Sequence, residues 1–414
     1  MNAPPTANPS ATRRPRLICF VNGIFGEGFG GGDVYFYFMA RTALEAGYPI
    51  HFFGGHAFKN YLEKQNLPVN LTLTDSSPGR LGDVGTLPGQ FHLLRDFARR
   101  LRGTLRGLNE VKAGDIAYTA SDYWFDTIPL IRCRARAKIL YLGMTAPTLG
   151  QILFRRREDI ASVRLPSLYY WMSQQLSLRR FRRCPSGIVT YSHPQIREYA
   201  LRFGYRESDL WYVPNGSNVV TADRVPEQPK KFDLAWTGRV HPQKGIADLL
   251  VTLAWLKQQL PDFRAVIIGQ SRDKLEPLLR KDSLHENVFF SGLVSEEEKF
   301  RLLKSSRVFA MPSHYESWGI VVAEALVAGV PVVAYKLACY PPVFGDFVRY
   351  VSPFDGGQFQ RALEEEIRNQ RAGRNNYFAS MNLADLKQRL SWETAQQKFR
   401  EVLAHVTDLK NQGS

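Results

Sequence analysis

Short apolar segments alternate with helix-forming segments in both halves of the chain, and this alternation restricts the fold more than any other feature. In the first half, "RLICFVNG" precedes "DVYFYFMARTALEAG", for which we predict Asp33 as the N-cap and Gly47 as the C-terminal stop. In the second half, "FDLAWTG" precedes "IADLLVTLAWLKQQ", and "RVFAMPS" precedes a helix predicted to stop at Gly329. Such alternation is typical of parallel, doubly wound sheets. The sequence therefore predicts an α/β protein.

The length of the chain predicts more than one domain. Its 414 residues exceed what one hydrophobic core usually holds, so two domains of about 200 residues are expected. The break is placed in "YVPNGSNVVTADRVPEQPKK", which is rich in Pro and Asn. The predicted units are a disordered lead at residues 1–15, an N-terminal domain at 16–214, a C-terminal domain at 215–390, and a helix at 391–414 that crosses back to the N-terminal domain.

Charge and cysteine content narrow the partners and the compartment. The formal net charge of +15 favours an anionic partner, such as nucleic acid, acidic phospholipid or a phosphorylated small molecule. The four cysteines form no C-x-x-C pair, so we expect neither a disulfide framework nor a zinc site. This cysteine usage fits the reducing environment of the cytoplasm, where we expect the protein to be located. No apolar run reaches the roughly 18 residues of a spanning helix, and no signal peptide is recognised.

Ligands of doubly wound sheets bind beyond the carboxyl ends of the strands, so the cleft between the two domains is the predicted site. The first loop there, "NGIFGEGFGGG", satisfies G-x-G-x-x-G with Gly26, Gly28 and Gly31. A dinucleotide site also needs an acidic residue after the second strand, and "FFGGH" has none. The dehydrogenase interpretation is therefore rejected. The loop either lets its backbone approach a ligand closely or is flexible without a function.

The second loop, "GRVHPQKG", holds Arg239 and Lys244 between a strand and a helix. Two cations beside a helix N-terminus can bind a diphosphate through ion pairs and free N–H groups. A solvated basic loop is the alternative in a chain this basic.

The third loop opens "PSHYESWGIVVAEALVAGVPVV", in which Glu316 follows a strand and Glu324 lies within the next helix. The first amides of that helix, at Gly319, Ile320 and Val321, favour an anion. A glutamate is a good acceptor for hydroxyl groups, and burying it unpaired is costly. Phosphates at the amides and sugar hydroxyls at the glutamates would satisfy every group, which indicates a nucleotide sugar. Alternatively, Glu324 faces solvent and Glu316 only stabilises the helix end.

These motifs resemble those of the retaining glycosyltransferases of family 4, the group 1 glycosyltransferases that include glycogen synthases and mannosyltransferases. The family pattern of two glutamates separated by seven residues is met by "PSHYESWGIVVAEALVAGVPVV". Further matches are "VPNGSN", "WTGRVHPQKG", "NVFFSGLVSEEEKFRLLKSSRVFAMPS" and "SWETAQQKFREVL". The resemblance runs from Arg16 to near the C-terminus and is most specific in the C-terminal half. It implies the GT-B fold, with two facing Rossmann-like domains and an interdomain cleft.

The resemblance also implies a role for each matching residue. Glu316 would bind hydroxyls of the donor sugar, and Glu324 would hold the ribose. Arg239 and Lys244 would neutralise the diphosphate, which Gly31 and Gly32 would close over, and the segment at Val294 would face the base. Members need no bound metal or other cofactor, and no D-x-D motif is found. Many members have a histidine after an N-terminal strand, where this chain has Thr145 and Ser121-Asp122, so Asp122 is a weak candidate on the acceptor side.

The predicted function is the transfer of a sugar from a nucleoside-diphosphate donor to an acceptor hydroxyl with retention of configuration. The alternatives are a catalytically silent sugar-nucleotide-binding protein and a GT-B epimerase. A phosphorylase would need a pyridoxal-binding lysine motif, which this sequence does not contain.

"LLRDFARRLRGTLRGL" predicts a helix with a stripe of Leu94, Phe97, Leu101, Leu105 and Leu108. With its arginines it fits either an anionic membrane surface or packing on its own domain. No nucleic-acid-binding motif accompanies it.

Overall fold

The computed structural model describes residues 14–23, 31–65, 67, 69–75, 87–154, 164–269, 272–281, 283–374, 377–378 and 380–412. Residues 1–13 of the predicted lead, and Gly26 and Gly28 of the glycine-rich loop, lie outside this part of the chain.

The N-terminal domain is built on one parallel sheet. Its strands are β1 (Leu17–Val21), β2 (Ile50–Gly54), β3 (Asn70–Leu73), β4 (Ile116–Thr119), β5 (Ala137–Leu142), β6 (Gly187–Tyr191) and β7 (Leu210–Tyr212). Its helices are α1 (Gly31–Glu45), α2 (His56–Gln65), α3 (Leu87–Gly107), α4 (Trp124–Arg132), α5 (Leu149–Phe154), α6 (Arg164–Phe181) and α7 (Pro194–Arg202). The strand order is β3-β2-β1-β4-β5-β6-β7.

The C-terminal domain repeats this design. Its strands are β8 (Phe232–Thr237), β9 (Ala265–Ile268), β10 (Val288–Gly292), β11 (Ser306–Met311), β12 (Val332–Tyr335) and β13 (Arg349–Val351), in the order β10-β9-β8-β11-β12-β13. The helices that follow β7 are α8 (Val219–Arg224), α9 (Ile246–Gln259), α10 (Arg272–Lys281), α11 (Glu296–Lys304), α12 (Ile320–Val327), α13 (Pro341–Phe344), α14 (Gly356–Arg371), α15 (Leu383–Arg389) and α16 (Trp392–Gln412).

The strands are apolar along their whole length because both faces of each sheet are covered. In β1, Leu17, Cys19 and Val21 belong to one buried cluster, whereas Ile18 and Phe20 belong to the cluster on the opposite face. Successive side chains of a strand point to opposite faces, so a sheet between two layers of helices needs an uninterrupted apolar strand. The predicted fold class is confirmed.

Both sheets reverse their strand order at the same place, between the first and the fourth strand of the domain. The reversal lies between β1 and β4 in one sheet and between β8 and β11 in the other. The loops that leave two such strands diverge over opposite faces of the sheet and open a crevice at its carboxyl edge. Each domain therefore has one crevice, placed by its topology.

The chain passes between the domains at two points that lie side by side. Ser217 N donates to Leu390 O at 2.7 Å and Trp392 N donates to Ser217 O at 3.2 Å. A Cβ on Gly216 would lie 2.7 Å from the Trp392 nitrogen, so the approach needs a glycine. Beyond this pairing, α16 packs on the N-terminal domain, where Trp392 stacks on Phe38 with ring centroids 4.2 Å apart.

Two helix predictions need correction or refinement. Asp33 is not an N-cap, because α1 already begins at Gly31 and Asp33 lies in its first turn. The stripe on α3 is partly buried: Phe97 and Leu101 are buried and Phe97 stacks on Phe125 at 3.9 Å, whereas Leu105 is half-buried and Leu94 is 37% exposed. The middle of the stripe, at Phe97 and Leu101, therefore packs α3 on its own domain, as the second of the two interpretations predicts. No helix within the described ranges is both long and apolar enough to cross a bilayer.

Candidate functional site

Two of the predicted loops meet because they follow neighbouring strands. The turn Pro242–Lys244 follows β8, and residues 312–319 follow β11, which pairs with β8. Gln243 Nε2 donates to Tyr315 O at 3.0 Å, and His314 N donates to Gln243 O at 2.9 Å. Gly245 has φ 65°, and a Cβ there would lie 1.8 Å from Pro312 O. Only glycine allows this close contact, which fixes the two loops against each other.

The contact between the loops brings Lys244 and Glu316 together. Lys244 Nζ lies 2.5 Å from Glu316 Oε1, and their side chains are 17% and 8% exposed. Ser313 Oγ donates to the same oxygen at 2.9 Å. Among the described residues, no partner is found for Glu316 Oε2. The glutamate is therefore held by one oxygen and keeps the other available as an acceptor.

Glu324 repeats this arrangement one helix turn into α12. Its Oε1 accepts from Lys299 Nζ of α11 at 2.6 Å, with side chains 10% and 19% exposed. Within the described part of the chain, its Oε2 has no hydrogen-bond partner. Glu324 is buried rather than solvent-facing, which rules out the alternative in which this residue faces water.

Helix α12 begins beside Glu316 and directs its free amides towards the same crevice. Gly319, its N-cap, has φ 98°, and a Cβ on it would lie 2.6 Å from Tyr340 Cε1. The first helical residues, Ile320 and Val321, are half-buried. A residue with a left-handed backbone conformation this close to an aromatic ring must be glycine, so Gly319 determines where this helix begins.

Further cations surround the crevice. Arg239 is exposed, and no ion-pair partner for it occurs in the described residues. Burial lowers the pKa of His241, and Arg239, Lys244 and Lys274 lower it further. The three cations make the potential at this loop positive, which favours an anionic ligand. Lys274 is an addition that the sequence analysis did not identify.

The remaining donor-side candidates border this centre. A Cβ on Gly31, at the start of α1, would lie 3.1 Å from Ile320 Cδ1, so the N-terminal domain touches the first residue of α12 there. Gly32 is exposed, with no atom within 4 Å of a Cβ built on it. Val294 follows β10, two strands from β8, and packs half-buried against the C-terminal core.

Two further contacts join the carboxyl edges of the two sheets. Tyr315 Oη donates to Thr145 O, after β5, at 2.8 Å. His193, after β6, is buried and lies next to the Ser317 backbone; burial lowers its pKa to about 4, an effect that the Ser317 backbone opposes. The residues on either side of Glu316 are thus held by the N-terminal domain, and the imidazole of His193 is neutral near pH 7.

Asp122 lies at the carboxyl edge but is turned into its own domain. It is 4% exposed, and its Oδ2 accepts from Tyr170 Oη at 3.1 Å and from Gln174 Nε2. Burial raises its pKa to about 6, an effect that both hydrogen bonds oppose. Gln174 Nε2 also donates to Met144 O at 2.8 Å. Asp122 therefore stabilises the loop that carries Thr145.

Sequence reasoning missed Lys299 and His193. Lys299 lies in the charged run "SEEEKF", which has the composition of any solvated helix start. His193 begins "HPQ" after β6, whereas a histidine was sought after β4 and β5. Among the described residues, no cluster of three or more His, Cys, Asp and Glu side chains is placed to hold a metal ion.

Known proteins share both the domain and the architecture. The family model of group 1 glycosyl transferases matches residues 221–378. MMP alpha-(1->4)-mannosyltransferase of Mycolicibacterium hassiacum is 24% identical over 81% of this chain and 85% of its own. Phosphatidyl-myo-inositol mannosyltransferase of Mycobacterium leprae is 30% identical, but the alignment spans only 48% of this chain and 54% of that protein.

Two solved structures superpose on nearly the whole chain. Anabaena HepE, solved with UDP and glucose, gives a TM-score of 0.65 at 18% identity, covering 95% of this chain and 100% of its own. Sucrose-phosphate synthase of Thermosynechococcus elongatus gives a TM-score of 0.69 at 17% identity, covering 96% of this chain and 100% of its own. The chain therefore has the GT-B fold, and residues 221–378 of its C-terminal half match the group 1 glycosyl transferase family.

Proposed function

We propose that the protein transfers a glycosyl group from a nucleoside-diphosphate sugar to an acceptor hydroxyl with retention of anomeric configuration, as in family 4. The observation that carries the proposal is the pair of buried glutamates, Glu316 and Glu324. Each is held through Oε1 by a lysine, at 2.5 Å and 2.6 Å. Each keeps a second oxygen for a hydroxyl donor, beside the start of one helix and a cluster of cations.

The proposed donor occupies the C-terminal crevice. Its diphosphate binds Arg239, Lys244 and the first amides of α12, at Gly319, Ile320 and Val321, because both cations and helix N-termini stabilise phosphate charge. Glu324 accepts from the ribose, and Glu316 accepts from the donor sugar. The segment at Val294 faces the base.

The proposed reaction needs only charges that are already in place. The bond from the anomeric carbon to the diphosphate breaks, a bond from the same carbon to the acceptor oxygen forms on the same face of the sugar, and the acceptor's proton passes to the leaving diphosphate. Negative charge grows on the leaving oxygen during this step. Arg239, Lys244 and the α12 amides then stabilise that charge without moving, the usual advantage of a preorganised site. Gly31 and Gly32 cover the diphosphate from the N-terminal domain, which excludes water. The nucleotide sugar is a substrate, and the proposal includes no bound cofactor or metal.

The relatives support the donor class more than the acceptor. Two of them are named as mannosyltransferases, and HepE has been solved with UDP and glucose. The donor sugar and the acceptor of this chain do not follow from those names.

A two-step experiment tests the proposal. A panel of nucleoside-diphosphate sugars is screened for a rise in melting temperature, since a bound donor stabilises the folded state. The stabilising donor is then incubated with cell extract, and released nucleoside diphosphate and the anomeric configuration of the product are measured. Transfer with retention is expected. Stabilisation without turnover would favour a silent binding protein, inversion would overturn the stereochemistry, and no stabilising donor would overturn the proposal.

A further inference from the structure

An unusual apolar surface covers the outside of α6 and the neighbouring α5. On α6, the buried side is formed by Tyr170, Gln174 and Leu178. The opposite side presents Leu165, Met172 and Leu176, which are 58%, 56% and 42% exposed. Residues spaced by seven and four positions share one helix face. The solvent side of α6 is thus a continuous apolar stripe.

Helix α5 extends this surface. It contacts α6 and exposes Leu153 by 59% and Phe154 by 86%. Exposed apolar side chains that are scattered singly need no explanation, whereas a contiguous group marks an interaction site. We call the group formed by Leu153, Phe154, Leu165, Met172 and Leu176 the α5–α6 face.

Among the described residues, helices α5 and α6 themselves carry charges of one sign. Neither α5 nor α6 contains an aspartate or a glutamate. Arg179 and Arg180, on the last turn of α6, are exposed and continue the apolar stripe towards its C-terminal end. Other surface helices differ, since α10, α11 and α14 carry i,i+4 pairs of opposite charge, such as Arg272–Glu276 and Arg301–Glu297.

We propose that the α5–α6 face binds the surface of an anionic phospholipid membrane. The apolar side chains would enter the region between the headgroups, and Arg179 and Arg180 would pair with lipid phosphates. A second copy of the chain fits poorly, because pairing two such faces would bring arginines of equal charge together in a protein of net charge +15. The surface is distinct from the stripe of α3, whose Phe97 and Leu101 are buried.

The placement has a consequence for the site. The inner side of α6 supplies Tyr170 and Gln174, which bond to Asp122 at the carboxyl edge of the sheet. Only the thickness of one helix, about 10 Å, separates the α5–α6 face from that edge. A membrane bound there would present an acceptor to the N-terminal side of the cleft. This consequence rests on the proposed function, whereas membrane binding does not.

Co-sedimentation with vesicles tests the inference in the absence of any sugar. The full chain is mixed with phosphatidylcholine vesicles, with and without phosphatidylglycerol, at low and high salt. Binding is expected only to the anionic vesicles and only at low salt, since salt screens exposed charges. Arg179→Ala with Arg180→Ala should lower the partition coefficient about 30-fold, the equivalent of about 1 kcal/mol for each arginine.

Variants at equally exposed positions provide the control. Met172→Ser with Leu176→Ser should lower binding at least tenfold, since two apolar side chains no longer enter the interface. Val251→Ser with Leu278→Ser, on the C-terminal domain, changes residues that are 62% and 42% exposed and should leave binding unchanged. Equal, weak binding to both vesicle types would overturn the inference. So would strong binding that neither α6 variant reduces, or self-association that Met172→Ser with Leu176→Ser abolishes.

Discussion

Glu316 and Asp122 occupy equivalent places in the two domains, yet their surroundings differ. Each follows the fourth strand of its sheet, β11 or β4, next to the point where the strand order reverses. Glu316 is paired with Lys244 and keeps one oxygen free. Asp122 accepts from the neutral donors Tyr170 and Gln174, and burial raises its pKa to about 6.

Sheet topology determines where a carboxylate lies, whereas its ion-pair and hydrogen-bond partners determine the role that it can have. Lys244 compensates the charge of Glu316, and the second carboxylate oxygen of Glu316 lies at the edge of the cleft, where it can accept from a hydroxyl. Without a paired cation, the charge of Asp122 is costly, and its hydrogen bonds serve to hold the loop at 144–146. We therefore expect Glu316 of the C-terminal crevice to take part in ligand binding and Asp122 of the N-terminal crevice to stabilise its own domain.

The largest effect is expected for Glu316→Gln. The amide keeps the size of the side chain but removes a charged acceptor that matters most when charge develops in the transition state. Turnover should fall about 100-fold or more, while nucleotide affinity stays within a few-fold. Steady-state kinetics and calorimetry measure the two quantities. Asp122→Asn is the matched control and should retain most turnover; equal losses in both variants would refute the contrast between the domains.

Arg239→Ala should weaken the binding of a nucleoside diphosphate about 10- to 100-fold, because it removes a charge-assisted contact of about 1.5–3 kcal/mol. The free nucleoside has no phosphate and should bind as tightly to the variant as to the wild type. Calorimetry with both ligands separates the two cases. If both weaken alike, Arg239 supports the loop and does not bind the diphosphate.

Much of the C-terminal crevice was predictable because its determinants are local. Gly319 and Gly329, both with positive φ, delimit α12 as the glycine pattern indicates. Arg239, Lys244 and Glu316 lie in short loops after apolar strands, and the strand alternation alone places such loops on one edge. The roles assigned to these residues remain predictions.

The N-terminal side was less predictable because its contacts join distant parts of the chain. Asp122 accepts hydrogen bonds from Tyr170 and Gln174, which lie 48 and 52 positions later in the chain. No local sequence pattern indicates such a pairing. Phe97 and Leu101 form an amphipathic stripe that fits a membrane or a neighbouring helix equally well, and only the packing on Phe125 decides between them. Lys299 shows the same limit in the C-terminal domain, since its partner lies 25 residues away.

The pH dependence of stability provides a sharper test of Asp122. Its pKa rises from 3.8 to about 6 on folding, so the folded state binds more protons than the unfolded state between these values. Stability from this group is therefore present at low pH and is lost as pH rises from about 4 to about 6, by about 3 kcal/mol at most.

The Asp122→Asn variant has no carboxyl group at this position and should not lose stability in this way as the pH rises. The free energy of unfolding of the variant relative to that of the wild type should therefore increase between pH 4 and pH 7. Chemical unfolding of both proteins at several pH values measures the difference. The lowered pKa of His193 acts in the opposite direction over a similar range, but it is common to both proteins and cancels. A difference that does not change with pH would show that Asp122 does not titrate in this range.

The smallest effect is expected for Lys299, which lies behind the site and acts through Glu324. Its removal in Lys299→Met leaves Glu324 without the cation that holds Oε1 at 2.6 Å. A carboxylate that is free to turn aligns less well with a ribose hydroxyl, at a cost of about 1 kcal/mol. Nucleoside affinity should therefore fall about fivefold, whereas a nucleoside that lacks the contacted hydroxyl should bind unchanged.

Titrations with the ribonucleoside and its 2′-deoxy and 3′-deoxy forms measure this loss of discrimination. Lys299→Arg keeps the cation and should keep the discrimination. If Lys299→Met weakens all three ligands equally, Lys299 only stabilises the fold, and the equivalence between the two lysine–glutamate pairs fails.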